Sequence, residues 1–198
     1  MSITVSKTDY LIYRDCPKNA WLKKNKPEIY YKSELSSFEK LIIETGNEVE
    51  KVARMLFPTG VLIQGHDDES VEETQKRLGE GEETLFQPIF RKENFLAAVD
   101  VLKFDKDTNE YAVYEIKATS ETDKKTHYYD LAFQSNLLGM CGLNVTKMHI
   151  IHLNPEYVRD GEIEITKLFV VDDVTEDIKG ILEEIAVEME EAYKYLSN

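Results

Sequence analysis

NFLAAVDVLKFDKDTNEYAVYEIKA, residues 94–118, reads as two strands joined by a polar turn. Its flanks are runs of Val, Phe, Tyr, Leu and Ile, and the charged DKDTNE between them is turn chemistry. A hairpin closed symmetrically around Asp107 and Thr108 sets Phe104 opposite Tyr111 and Asp100 opposite Glu115. Glu115 and Lys117 then share one face of their strand, and Ile116 points to the other. Charges inside such apolar runs are costly unless they are paired or coordinated. Two carboxylates facing each other with Cβ atoms about 5 Å apart also repel. One resolution is a divalent cation held by oxygens of Asp100, Glu115, water and the backbone carbonyl of Ile116. The other is neutralisation by local lysines such as Lys103 and Lys117. The residues alone leave both open.

The same [DE]-x-K spacing recurs at Asp123-Lys124-Lys125 and Asp177-Ile178-Lys179, where apolar context is weaker, so context and not the triplet singles out Glu115 and Lys117. Working outward, TLFQPIF (84–90) predicts a further strand. Before it, Phe38, Leu41, Ile42, Thr45, Val49, Val52, Ala53 and Leu56 recur at three and four and predict a helix over 36–57, stopped by Pro58. On this helix Glu50 lies one turn beyond Gly46, where it leans over the gap the glycine leaves. A short apolar segment at 61–63 and a polar helix over 70–78 follow. After the hairpin come a helix over 127–140, with His127, Asp130 and Gln134 on one face, a strand KMHIIHL (147–153), and a hairpin-like pair in EIEITKLFVV (162–171). A final helix spans 175–196, with acids opposite its apolar side. At the front, Ser6 and Asp9 form a capping signal, and Cys16-Pro17 separates two short helices. This order predicts an α/β fold with a central mixed sheet flanked by helices. No repeat or linker divides residues 1–198, so one domain is expected.

Composition bounds the function. With 42% hydrophobic and 31% charged residues the chain is globular, and no apolar run reaches the roughly 18–20 residues of a membrane span. The start MSITVSKTDY lacks the signature of a secretory signal, so a cytoplasmic location is expected. Two distant cysteines, Cys16 and Cys141, suit a reducing compartment. The net charge of −14 opposes binding to nucleic acid, which rests on cations neutralising phosphates. Its distribution is uneven, however: residues 1–40 hold eight Lys/Arg against five Asp/Glu, and residues 154–198 hold four against thirteen. A basic N-terminal side around Lys18, Lys23, Lys24 and Lys26 is therefore the expected nucleic-acid face. No Walker loop, dinucleotide fingerprint or nucleophile elbow is present.

Taken together, these features resemble the PD-(D/E)xK phosphodiesterase superfamily, most closely its RecB-like branch and the CRISPR-adaptation exonucleases within it. SKTDYLIYRDCPKNAWL (6–22) matches their S-x-[ST]…C-P segment. Gly46 with Glu50 matches a G-x-x-x-H helix with glutamate in place of histidine. Asp100 in AAVD and Glu115-Ile116-Lys117 match the strand Asp and E-x-K, and Gln134 matches Q-x-x-x-Y with Leu138 at the tyrosine.

The resemblance implies a restriction-endonuclease-like fold and a nuclease that hydrolyses phosphodiesters, of DNA by expectation, with metal-activated water. Asp100, Glu115 and Lys117 are the implied catalytic set. Glu50, Asp100, Glu115 and Ile116 are the implied ligands of Mg²⁺ or Mn²⁺, and His127, Asp130 and Gln134 would face the nucleic-acid strand. An iron–sulfur cluster of the four-cysteine relatives is not expected from two cysteines. Two alternatives are a catalytically inactive nuclease fold acting as a binding module and an acidic protein-interaction domain. For Glu50 and His127 the alternatives are a solvated helix charge and an exposed helix-start residue. Tyr128 and Tyr129 read as core or as base-stacking residues.

Overall fold

The computed structural model describes residues 3–30, 36–65 and 67–198. Strand β1 (Val5–Ser6) leads into α1 (Lys7–Asp15) and, past Cys16, α2 (Pro17–Asn25). Ser6 and Asp9 form the reciprocal capping box that starts α1, and Pro17 occupies the first turn of α2, where its missing N–H costs nothing. The long helix α3 (Ser37–Ala53) opens on a second capping box, Ser36 with Glu39, and ends in a 3₁₀ turn, Arg54–Leu56. There follow β2 (Val61–Leu62), α4 (Asp68–Gly79), β3 (Thr84–Phe86), β4 (Ile89–Lys92), β5 (Phe95–Ala98), β6 (Val101–Asp105) and β7 (Glu110–Lys117). Then come α5 (His127–Met140), β8 (Val145–Leu153), α6 (Ile165–Leu168), β9 (Phe169–Asp173), α7 (Thr175–Lys179) and α8 (Leu182–Leu196). No helix among the described residues is long and apolar enough to cross a membrane.

The strands form a mixed six-stranded sheet in the order β2-β3-β6-β7-β8-β9 and a three-stranded sheet in the order β1-β5-β4. In the β6–β7 hairpin Phe104 pairs with Tyr111 and Val101 with Tyr114, the register expected from closure at Asp107 and Thr108. Asp100 and Glu115 follow directly beyond the last paired residues, and the Asp100 carboxylate accepts the Ile116 N–H. Asn109, with φ 56°, supplies the left-handed residue that closes the turn.

The two long strand-like runs 84–90 and 94–104 each split in two. Gln87 adopts φ 53° and Pro88 follows, so both runs bend together and their outer halves, β4 and β5, leave the main sheet for the smaller one. The hairpin stays bonded through the corner, with Gln87 N–H on the Asp100 carbonyl at 3.1 Å and Val99 N–H on the Pro88 carbonyl at 3.0 Å. Corners of this kind are how strands switch sheets. Asp100 sits in it.

Helix α5 crosses between the parallel strands β7 and β8 and is buried on nearly every side. Leu131, Phe133, Leu137 and Leu138 are fully enclosed with Leu102, Val113, Met148 and Ile150 of the sheet, Tyr10 of α1 and Ile185, Met189 and Leu196 of α8. At about 1.5–3 kcal/mol for each such side chain, this face is the main reserve of stability. The opposite face packs Phe86, Val101, Ile116 and Ile151 under Ala53, Val49 and Val52 of α3.

Three expectations are corrected. Residues 162–171 are no hairpin: 165–168 make a helical turn, and β9 pairs antiparallel with β8, from Phe169 opposite Leu153 to Asp173 opposite His149. The final helix is two, broken between Gly180 and Ile181, where the poorest helix former after proline lets Ile178 and Ile185 both reach the core. Finally, the apolar stripe of α3 is covered only from Val49 onward. Phe38, Leu41 and Ile42 remain 69%, 57% and 54% exposed, because the first turns run past the sheet.

Candidate active site

Lys117 ends β7 on the same face as Glu115, and its ammonium nitrogen lies 2.6 Å from both Glu115 Oε1 and Asp130 Oδ2. Asp130 and Gln134, one helical turn apart on α5, are polar residues in a largely apolar helix. Both are buried because they face this strand end. The Gln134 amide donates to Glu115 Oε2 at 2.7 Å and to Asp130 Oδ1 at 2.9 Å. Its own carbonyl oxygen is buried without a partner among the described residues. A second ammonium closes the cluster. Lys7, the first residue of α1, places Nζ 3.0 Å from Asp130 Oδ1 and 3.3 Å from Glu115 Oε1.

Charge balance within this cluster sets each group's state. Burial acts to raise the Glu115 pKa, but the ammoniums of Lys117 and Lys7 outweigh it and hold the carboxyl well below its usual range. Burial likewise acts to lower Lys117 and Lys7, and the carboxylates of Glu115 and Asp130 override it, so both lysines stay protonated. Glu115 is thus an obligate anion and Lys117 an obligate cation.

Asp100 behaves in the opposite way. Burial, then the neighbouring Glu115 charge, push it from 3.8 up to about 7. Its Oδ2 accepts the Ile116 backbone N–H at 2.7 Å, and its Oδ1 accepts the Gln87 amide at 3.1 Å. Gln87 also donates to Glu50 Oε1 at 2.6 Å, which links the α3 carboxylate to Asp100 through one amide. Arg54, one turn along α3, pairs with the same Glu50 oxygen.

The expected residues are therefore placed as follows. Asp100, Glu115, Lys117, Asp130 and Gln134 gather at one strand end, and Glu50 joins them through Gln87. Ile116 engages Asp100 with its amide, while its side chain packs in the core. His127 starts α5, and its Nδ1 accepts the Asp123 N–H at 3.0 Å. Burial and then the Lys117 charge lower its pKa. Of the local lysines considered for the carboxylate pair, Lys117 is used; the exposed Lys103 is replaced in that role by Lys7.

On the expected basic N-terminal side Lys18 and Lys26 are exposed, and the other two lysines share one carboxylate. Lys23 and Lys24 turn onto the buried Asp9, at 2.9 and 2.6 Å, and hold its carboxyl at about 2 despite its burial. Tyr128 is buried with its hydroxyl on Asp177, and Tyr129 lies beneath the Arg14 guanidinium, so both are structural contacts.

Two residues of the cluster escaped the sequence reading. Lys7 meets Glu115 across 108 residues of chain, and only its place just inside a capped helix start marked it. Gln87 had a visible signal, a glutamine followed by proline inside an apolar run.

Asp100 and Glu115 offer hard oxygens, and Glu50 stands behind Gln87. Among the described residues no group of three or more His, Cys, Asp or Glu side chains is gathered to hold a metal ion.

The fold and the cluster together define a mixed α/β domain with an ionised, buried carboxylate–lysine centre at the end of its β6–β7 hairpin. No family model matches the chain, and no curated protein matches it in sequence. Among solved structures the chain is similar to an alkaline exonuclease from Laribacter hongkongensis, with 11% identity and a TM-score of 0.49 over 98% of this chain and 91% of that one.

Proposed function

We propose that this protein is a divalent-metal-dependent nuclease of the PD-(D/E)xK type, RecB-like in its motifs, that hydrolyses phosphodiester bonds of DNA in the cytoplasm. One observation carries the reading: the Asp100 carboxylate sits on the Ile116 N–H, next in the chain to the buried Glu115, with the Lys117 ammonium 2.6 Å from Glu115. A purely structural ion pair needs no second carboxylate. Asp100 would hold Mg²⁺ or Mn²⁺ with Glu115, and Glu50 would approach through water or Gln87. When bound, the ion supplies activated water and offsets the charge growing on the phosphate. Lys117, fixed between two carboxylates, orients that water and stabilises the phosphate oxygens in the transition state. Asp130 and Gln134 keep Lys117 and Glu115 in register, and His127 stands at the rim toward the strand.

The test is incubation of end-labelled linear and covalently closed circular DNA with Mn²⁺, using wild type, Glu115→Gln and Lys117→Met. Cleavage by wild type and loss in both variants is expected. Absence of cleavage of any DNA, or cleavage that survives Glu115→Gln, overturns the reading. A second reading, a nuclease-like fold that binds a partner, is favoured by the uncovered Phe38, Leu41 and Ile42 on α3. It predicts binding without turnover.

A further inference from the structure

We propose that the uncovered first half of α3 is a docking surface for a basic amphipathic helix of a partner protein, one whose apolar stripe is edged by lysine or arginine; the surface is independent of the nuclease chemistry. Phe38, Leu41 and Ile42 lie on the same face as Val49 and Ala53 and are 69%, 57% and 54% exposed, with Ile43 beside them at 49%. Exposed apolar residues are ordinary one at a time, but here they are contiguous and share a face. The second half of that face rests on Phe86, Val101, Ile116 and Ile151, and a docked helix gives the first half the same kind of cover. The Ser36–Glu39 capping box fixes the start of the helix, so the surface is formed before a partner arrives.

Charge selects the occupant. Glu44 and Glu48 follow Leu41 by three and seven positions and edge the apolar face on one side, and Glu39, three before Ile42, edges it on the other. All three are exposed. Lys40 and Lys51 fall on the back of the helix, and among the described residues they form no ion pair with these glutamates.

A second copy of the chain is disfavoured by the same edges. Pairing α3 with itself antiparallel sets Glu44 and Glu48 against their own equivalents, and pairing it parallel sets them against Glu39, so like charges line the contact either way. The net charge of −14 adds to that repulsion, and phosphate backbones and anionic membranes meet it too. Lysine or arginine in the edging positions of a partner instead faces a glutamate on each side, and the long stems of those residues extend the apolar cover.

Fluorescence anisotropy with a synthetic helical peptide of about 18 residues, five turns, leucine-striped and lysine-edged, tests this on the full chain. Two matched peptides separate the causes: one with glutamate in place of each lysine, and one of the same composition scrambled so that no stripe forms. Wild type should bind the lysine-edged stripe at least about tenfold more tightly than either, and less tightly as salt rises. Phe38→Ser with Leu41→Ser, and Glu44→Lys with Glu48→Lys, should each lose at least about tenfold, whereas Glu190→Lys with Glu191→Lys on α8, an equal change in net charge, should lose less than about twofold. All of these residues are exposed, so the fold tolerates the changes. Equal binding of the scrambled peptide, or an equal loss from the α8 reversal, would mean bulk attraction to an acidic protein and overturns the assignment. Sedimentation showing a wild-type dimer that Phe38→Ser dissolves overturns it too, in favour of a second copy. Neither result bears on cleavage of DNA.

Discussion

Replacing Asp100 by Asn isolates the electrostatic cost stored at the hairpin corner. In the metal-free protein burial and the neighbouring Glu115 charge raise the Asp100 carboxyl from 3.8 to about 7. The folded state therefore holds more protons than the unfolded state between about pH 4 and 7, and wild-type stability from this group falls as pH rises through that window. Three pH units at about 1.36 kcal/mol each set an upper bound of about 4 kcal/mol. Asn keeps an acceptor for the Ile116 N–H and carries no charge toward Glu115.

Asp100→Asn should thus match wild type within about 0.5 kcal/mol near pH 4–5 and exceed it by up to about 4 kcal/mol at pH 8. His127 contributes with the opposite sign, because its pKa is lowered and its share grows as pH rises toward the usual histidine value and is complete above it, so the difference between the proteins is the quantity to read. Urea unfolding in chelator, followed at the single tryptophan, Trp21, measures it. With Mn²⁺ at 100 times its Kd wild type should recover about 2.7 kcal/mol, and the variant much less. Parallel pH profiles for the two proteins would refute the argument.

Lys117→Met should lower the rate of Mn²⁺-dependent cleavage by two or more orders of magnitude, the cost of one preorganised transition-state donor. It should also destabilise the fold by about 3 kcal/mol, since Glu115 and Asp130 keep only Lys7; Lys117→Arg should recover most of the stability and little of the rate. Asp9→Asn should cost about 2 kcal/mol at pH 7, because its depressed carboxyl contributes stability that is present above about pH 4 and lost as pH falls toward 2, and thermal melts at pH 7 and pH 3 should show the gap closing. Tyr10→Phe should cost about 1–2 kcal/mol by leaving Glu188 of α8 without its 2.5 Å hydroxyl partner, and hydrogen exchange should rise first in α8.

Alternation along 94–118 was enough to place Asp100 beside Glu115, because strand register follows from turn length and a period of two. Pro17 and Pro58 marked helix ends for the same local reason, and helical spacing put His127, Asp130 and Gln134 on one face of the 127–140 stretch. What period cannot report is what lies on the other side. The stripe of α3 is equally regular over Phe38–Ile42 and over Val49–Ala53, yet only the second half meets the sheet. The switch of β4 and β5 into a separate sheet is likewise invisible, since their apolar runs continue unbroken through the corner.

The same limit explains the cluster's hidden members. Glu115 was conspicuous as a charge in a strand, but a buried carboxylate says only that something must balance it, not which residue does so. Its partners come from α1, β7 and α5, and Lys7 is 108 positions away. Gln87 is informative for a different reason. A non-glycine residue at φ 53° costs of order 1–3 kcal/mol, and such strain persists where surrounding contacts over-determine it. Here the side chain it carries is the only described amide that reaches both Glu50 and Asp100. Gln87→Gly would relieve the backbone and lose the bridge. The two effects oppose in stability, but only loss of the bridge frees Glu50 to move, so the variant should hold its melting temperature within a few degrees while Mn²⁺ affinity changes. An unaltered affinity would mean that Glu50 has no part in the centre.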